Sequence, residues 1–366
     1  MSTVNYDVSL LTVEILTGNL WSEDDPPGTE WWDEDSWVNV LDRLHSITIS
    51  NAVSYDTLNF SPQAGAARIS IGTSAGDDFF ARLHARPIRV RYDGSTLFSG
   101  KILETNTTVS PDEVDTHRYD VDLSCASNMY DLSKFQLTNF TAPTETGADR
   151  LDRICTAIGK AIVCTGLTTF HSGRILEAYT GDALSLLNEL QLAHHARFYV
   201  TTANILTMTD ADPEIVVRFN IDDDLDFCAT TFTGSDDQHL SASLAILKSN
   251  EFITDYRTSP TPYTVRAEQY LVDVANAAEL ADWNAAVRLR DFPAVIARTV
   301  RTTDVATTDW SAVHCTELAV TRLPNRGPSY QTGIVSINHS IDPDRWVVDL
   351  EMCQRYFVND DSTPEA

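Results

Sequence analysis

Residues 88–104 read IRVRYDGSTLFSGKILE. Ile88, Val90 and Tyr92 alternate with Arg89 and Arg91, then Asp93-Gly94 supplies two residues that tolerate positive φ. Leu97, Phe98, Ile102 and Leu103 restart an apolar run. Two short apolar runs around Asp-Gly predict a β-hairpin with a two-residue turn. The same grammar, short alternating strands between Asn, Asp and Gly turns, recurs along much of the chain.

Upstream, residues 5–17 alternate well enough for a first strand, and SITI at 46–49 and ARISI at 67–71 repeat the pattern. Residues 79–86 lead into the hairpin, with Pro87 marking its start. Residues 118–125 (RYDVDLSC) alternate again, so residues 1–127 read as one antiparallel, barrel-like β domain. Downstream the character changes. Leu151, Ile154 and Ile158 fall at helical spacing before Gly159, and a second helix is expected over 182–196 with Leu184, Leu187, Leu190 and Leu192 as its buried stripe. Residues 198–200 and 205–208 form a further hairpin around 202–204. Residues 128–212 are therefore expected to be a small inserted α+β domain.

Strand patterns return at 214–219, 244–253, 318–323, 330–339 and 344–352, with a helix expected over 272–289 and a turn cluster at 324–328. Residues 213–357 thus read as a second barrel-like domain, and 358–366 as a disordered tail. The fold class expected is β-rich α+β: two antiparallel β-barrel-like domains with a small α+β insertion.

The chain has 366 residues, enough for two or three cores. Its formal net charge of −27 argues against sequence-independent affinity for nucleic acid, which comes from Lys and Arg releasing counterions from phosphates. Acidity is still compatible with a conduit through which DNA slides without sticking. No basic segment followed by an apolar signal core opens the sequence, and no run of about 18 apolar residues occurs, so a soluble protein made in a cytoplasm is expected. The six cysteines are scattered without a C-x-x-C pair and read as buried free thiols.

Residues 18–37, GNLWSEDDPPGTEWWDEDSW, break the strand grammar with seven carboxylates and four tryptophans. Trp21, Trp31, Trp32 and Trp37 inside an acidic rim resemble an interface hot spot. The segment is either a partner-contacting loop or one folded back on its own domain. Arg89 and Arg91, basic side chains in an acidic chain, join the tryptophans as candidates for a partner interface.

Catalytic and metal signatures are missing from the sequence. His194 and His195 are adjacent, so on a helix they point about 100° apart and cannot chelate one metal as an i, i+4 pair would. One ring of a helix end is expected to pack while the other meets water. Neither H-E-x-x-H, G-x-S-x-G nor a phosphate loop occurs. The acidic run at 222–226 lacks the alternation and distal Glu of a calcium loop and reads as a solvated turn. Asn106, Asn139 and Asn338 open glycosylation sequons, which read as coincidence in a chain without a signal peptide. No catalytic residue, metal or cofactor is expected.

Three stretches, YDGSTLFSGKI at 92–102, DALSLLNELQLAHHARFYVT at 182–201 and GIVSINHSIDPDRWVVDLEM at 333–352, together resemble minor tail proteins of long-tailed actinobacteriophages. These are similar to tail-tip hub proteins that share a fold with the baseplate hub of contractile-tailed phages. The resemblance spans residues 38–357. It implies a homotrimer whose two barrel-like domains per chain give a near-sixfold ring. That ring would join the tail tube, through a distal tail protein, to the tip of the virion. Its lumen would house the end of the tape-measure protein and pass DNA without binding it specifically. The resemblance does not reach the Trp-rich segment and includes no peptidase, lysozyme or carbohydrate-binding extension, so it implies no enzyme. The alternative role is a receptor-binding or cell-wall-carbohydrate-binding tail protein, in which the tryptophans stack on sugars.

Overall fold

The computed structural model describes residues 6–16, 37–55, 60–74, 83–111, 117–141, 143, 145–167, 178–194, 196–209, 215–220, 229–235, 242–247, 255–257, 264–269, 294–301, 305, 308–311, 313–315, 318–322 and 329–353. A short 3-10 turn at Val8–Leu10 precedes β1 (Leu11–Leu16), so the first strand starts later than alternation alone suggests. Asp7 causes the delay, because its side chain accepts from the backbone N–H of Ser9 and starts the turn. There follow β2 (Trp37–Asn39), β3 (Leu44–Tyr55), β4 (Phe60–Pro62), β5 (Ala66–Ser74), β6 (Pro87–Tyr92), β7 (Ser95–Pro111) and β8 (His117–Ser127).

The hairpin at 88–104 forms as its residues dictate. Tyr92 opposes Ser95, leaving Asp93 (φ 45) and Gly94 (φ 82) as a two-residue turn with both φ positive, which matches the twist of the flanking strands. A register shift after Val90 leaves Leu97 as an extra residue, and both Leu97 and Phe98 are buried. The bulge explains how two adjacent apolar residues share one face.

The inserted region holds α1 (Tyr130–Lys134), β9 (Gln136–Phe140), α2 (Gly147–Ile158), β10 (Ile162–Thr165), β11 (Tyr179–Asp182), α3 (Ala183–His194), β12 (Arg197–Val200) and β13 (Leu206–Thr209). Thr146 caps α2 by accepting from the N–H of Asp149 at 3.1 Å, and Gly159 closes it in the left-handed region at φ 65. Among the described side chains the buried apolar stripe of α3 is Ala183, Leu186, Leu187 and Leu190; of the expected stripe, Leu184 is only half-buried and the side chain of Leu192 lies outside those described. These residues meet Leu132, Leu151, Ile154, Phe198, Leu206 and Met208 in a core of their own.

The C-terminal part contributes β14 (Ile215–Asn220), β15 (Ala229–Ser235), β16 (Ala242–Leu247), β17 (Asp255–Arg257), β18 (Thr264–Gln269), β19 (Ala294–Arg301), β20 (Leu318–Arg322), β21 (Ser329–Asp342) and β22 (Arg345–Cys353). The helix expected over 272–289 and the tail at 358–366 lie outside the described residues.

Among the described residues the N-terminal and C-terminal strands form one sheet, in the order β15-β19-β22-β21-β3-β5-β8-β7-β6-β1-β2. The seam is β3 against β21, with Ile49 opposite His339 and Ile47 opposite Ile341. Ile47, Ile49, Ile69, Ile71, Ile102, Leu123, Ile337, Ile341, Val348 and Leu350 share one core beneath it. Each such side chain contributes about 1.5–3 kcal/mol on burial. Among the described residues the chain is thus mostly β-sheet with few helices.

The hairpins at 88–104 and 333–352 meet across this core. Tyr92 and Trp346 lie with ring centroids 5.0 Å apart, and Tyr6 packs on both. The Tyr6 hydroxyl donates to the carbonyl of Asp342 at 2.5 Å. Burial first, then Asp342 and Asp344, push its phenol up to about 12, so it remains a donor.

Candidate partner-binding edge

The sheet ends at β2, whose described pairing is to β1, with Leu16 opposite Trp37 and Ile15 opposite Val38. Alternation sends Leu11, Val13 and Ile15 of β1 and Ile88, Val90 and Tyr92 of β6 inward. It sends Glu14, Arg89 and Arg91 to the outer face. Glu14 is the register partner of Arg89, and Arg89 Nε donates to Glu14 Oε2 at 2.6 Å. Arg91 approaches the same carboxylate at 3.9 Å and donates to the carbonyl of Gly94 at 3.0 Å.

Trp37 completes the group. The Arg89 guanidinium lies 4.1 Å from the centre of the Trp37 ring, a cation–π contact that holds the edge strand flat against its neighbours. Three sequence candidates, Trp37, Arg89 and Arg91, are therefore brought together at one sheet edge. Val38, in the same strand, is 41% exposed. Trp21, Trp31 and Trp32 lie outside the described residues. Glu14, the acidic centre of the cluster, was not singled out by sequence; the signal was its place opposite Arg89 once β1 and β6 pair.

This arrangement suits recognition. Two guanidiniums share one carboxylate, so the edge is locally basic in an acidic chain. Among the described residues β2 pairs on one side, and an edge strand of that kind is a template for strand addition. His194 belongs to packing: a Cβ built on Gly147 would sit 2.2 Å from its Nε2, so the ring lies against the first turn of α2. The acidic run at 222–226 and His195 lie outside the described residues. Among the described residues no group of three His, Cys, Asp or Glu is placed to hold a metal ion. No described helix is long and apolar enough to cross a membrane. Cys125 and Cys155 are buried free thiols whose pKa burial pushes up to about 12.

No protein-family model and no curated protein sequence matches the chain. Solved structures do. A 43 kDa tail protein of prophage MuSo2 from Shewanella oneidensis matches with a TM-score of 0.59 at 13% identity, covering 93% of this chain and 95% of the other. A tail protein from Neisseria meningitidis matches with a TM-score of 0.61 at 10% identity, covering 94% and 96%. The fold is that of phage tail proteins. An E. coli component of the type VI secretion system, described as structurally similar to T4 tail proteins gp27 and gp5, matches at 0.53 and 12% identity over 86% of this chain and 74% of its own.

Proposed function

We propose that this chain is a structural phage tail protein, a tail-tip hub that acts by assembly and not by chemistry. The observation that carries the reading is the coincidence of fold over nearly the whole length of both chains in the Shewanella and Neisseria tail proteins. In this reading three copies form a ring at the tip of the virion tail. Each contributes its N-terminal (1–127) and C-terminal (213–357) β regions as wall, with residues 128–212 as the inserted unit. The neighbours are a distal tail protein, the tape-measure protein and other tip proteins, and DNA passes through the lumen.

Two features support this arrangement. The Tyr92–Trp346 contact sets the two resembling hairpins against each other within one chain, as paired wall elements require. The outward face of β3, β5 and β8 carries Ser46, Thr48, Ser50, Ser70, Asp120, Asp122 and Ser124, and its exposed Arg68 is held by Asp122 at 2.8 Å. A hydroxyl-rich and acidic face suits a wall that must not retain DNA. Three copies of −27 give −81 formal charges, which act at the short range where salt does not fully screen them. Arg89, Arg91 and the tryptophans then face a protein neighbour, away from the DNA path.

The test is the mass of the assembled tip and the symmetry of its particle images. Threefold symmetry with three copies is expected, and a monodisperse monomer inside an assembled tail would overturn the hub reading. For the carbohydrate alternative, Trp37 offers one ring face to Arg89 already. Binding to host cell-wall polysaccharide that Trp31→Ala with Trp32→Ala abolishes would favour it.

A further inference from the structure

Residues 305, 308–311 and 313–315 reach from the core of the large sheet to β12 of the inserted unit, with a histidine at each contact. On one side Val305, Trp310 and Val313 are buried in the core of the large sheet. The Trp310 indole N–H donates to the carbonyl of Val305 at 2.7 Å, so this stretch has a defined local turn. Trp310 stands edge-on to the ring of His339 of β21, with centroids 5.3 Å apart and planes at 89°. His339 is 3% exposed, and its Nδ1 accepts from the indole N–H of Trp346 at 3.3 Å. On the other side His314 lies stacked on Tyr199 of β12, centroids 4.1 Å apart and planes 19° from parallel. Cys315 donates to the carbonyl of Asn51 in β3 at 3.4 Å. Between β12, the start of β7 and this stretch runs a cleft of about 100 Å³, lined by Phe98, Tyr199, Thr201, Trp310 and His314 among others.

We propose that the strap formed by residues 305, 308–311 and 313–315 latches β12 of the inserted α+β unit to the large sheet at neutral pH and lets go on acidification, with His314 and His339 as its two protonation sites. The chemistry at His339 is direct. Its Nδ1 is an acceptor facing an N–H donor, so a proton added there removes the bond and opposes two donors. The groups packed on it are Trp346 from β22 and Trp310 from the strap, neither of which can balance a charge; the phenol of Tyr6 lies beyond Trp346. His314 is faced by Arg197 from β12, whose positive charge opposes protonation, and by the neutral ring of Tyr199.

Burial, and for His314 also Arg197, push both imidazoles down to about 4. A released ring titrates near the ordinary 6.5. The released state therefore binds more protons between these values, so latching is fully present above about 6.5 and is lost as pH falls toward 4. For one histidine the release constant rises about 50- to 100-fold between pH 7.5 and pH 4.5 by that linkage.

Hydrogen exchange on the full chain, corrected for its intrinsic pH dependence, tests this. In wild type, where both histidines titrate, exchange at residues 197–202, 308–311 and 313–315 should accelerate by more than that factor while β5 and β8 keep their protection. His314→Phe retains the stack and leaves only His339 to titrate, so its acceleration at 197–202 should fall short of wild type by about the factor for one histidine. Equal acceleration in wild type and His314→Phe, or none in wild type, would overturn the proposal. Should His314→Phe fail to fold, the wild-type ring resonances decide. A His314 midpoint well below 6.5 that coincides with the exchange transition supports the latch, and an ordinary midpoint sinks it.

Discussion

Glu145 holds the entry to the inserted unit by accepting from two arginines one helical turn apart. Arg153 donates to it through Nε at 2.8 Å, and Arg150 Nε donates to its other oxygen. Arg150 is buried, and its remaining N–H reaches the carbonyl of Pro143 at 2.8 Å, so the guanidinium also anchors the loop before α2. Burial alone would raise the Glu145 pKa, but the hydrogen bonds from Arg153 and Arg150 outweigh it and hold the carboxyl below its ordinary value. A folded-state pKa below the unfolded one gives stability that is present above the unfolded value and lost as pH falls through the folded one. Glu145→Ala removes the carboxylate that accepts from the buried Arg150 guanidinium and leaves it only the more distant charge of Glu189. A loss of about 3 kcal/mol is expected in urea unfolding at pH 7, with a smaller loss at pH 3. An unchanged midpoint at pH 7 would show that the pair does not hold the loop.

Elements are limited by backbone contacts as much as by side-chain pattern, and Gly100 in β7 shows how. A Cβ built there would lie 2.0 Å from the carbonyl oxygen of Ala126 in β8, and the two strands are already register partners. Neither backbone can move without breaking the pairing, so Gly100→Ala should cost about 2–3 kcal/mol. Gly94→Ala meets nothing within 4 Å and suffers only its φ of 82, about 1 kcal/mol. Denaturant midpoints of the two variants should fall in that order, and the reverse order would refute the steric account. The turn at Gly94 was legible because Asp-Gly between alternating runs is a local signal, whereas the crowding at Gly100 depends on a strand 26 residues away. The same distinction separates α2, read from Leu151, Ile154 and Ile158 before Gly159, from β19, which no local pattern announced. The edge cluster was half legible. Arg89, Arg91 and Trp37 stand out by composition, but Glu14 gains meaning only from pairing. The tryptophans of the acidic segment drew the eye from Trp310 and Trp346, single indoles in ordinary sequence that prove to organise the core.

At the scale of the whole molecule, the decisive step is the seam between β3 and β21, which joins residues nearly 290 positions apart and makes both β regions one sheet. Non-local pairing of that kind leaves no sequence period, because each strand carries the same alternation wherever it docks. At the far end of the same sheet, the pairing of β1 with β2 bears on the Trp-rich acidic segment. Leu16 and Trp37 are register partners at the open end of β1 and β2, so residues 17–36 are not needed to bring these strands together. Replacing them with Asn-Gly should close the same hairpin through a two-residue turn. If the segment serves a partner, the shortened chain keeps its thermal midpoint to within a few degrees, since closing a shorter loop changes stability by only about 1–2 kcal/mol. It then fails to enter assembled tails or to co-purify with tail proteins. If the segment instead packs on its own domain through its tryptophans, the midpoint falls sharply, because each buried indole carries several kcal/mol, on the order of 3–5 by truncation. Calorimetry of the shortened chain, beside its incorporation into tails, separates these two roles, and a chain that is both fully stable and normally assembled excludes them together.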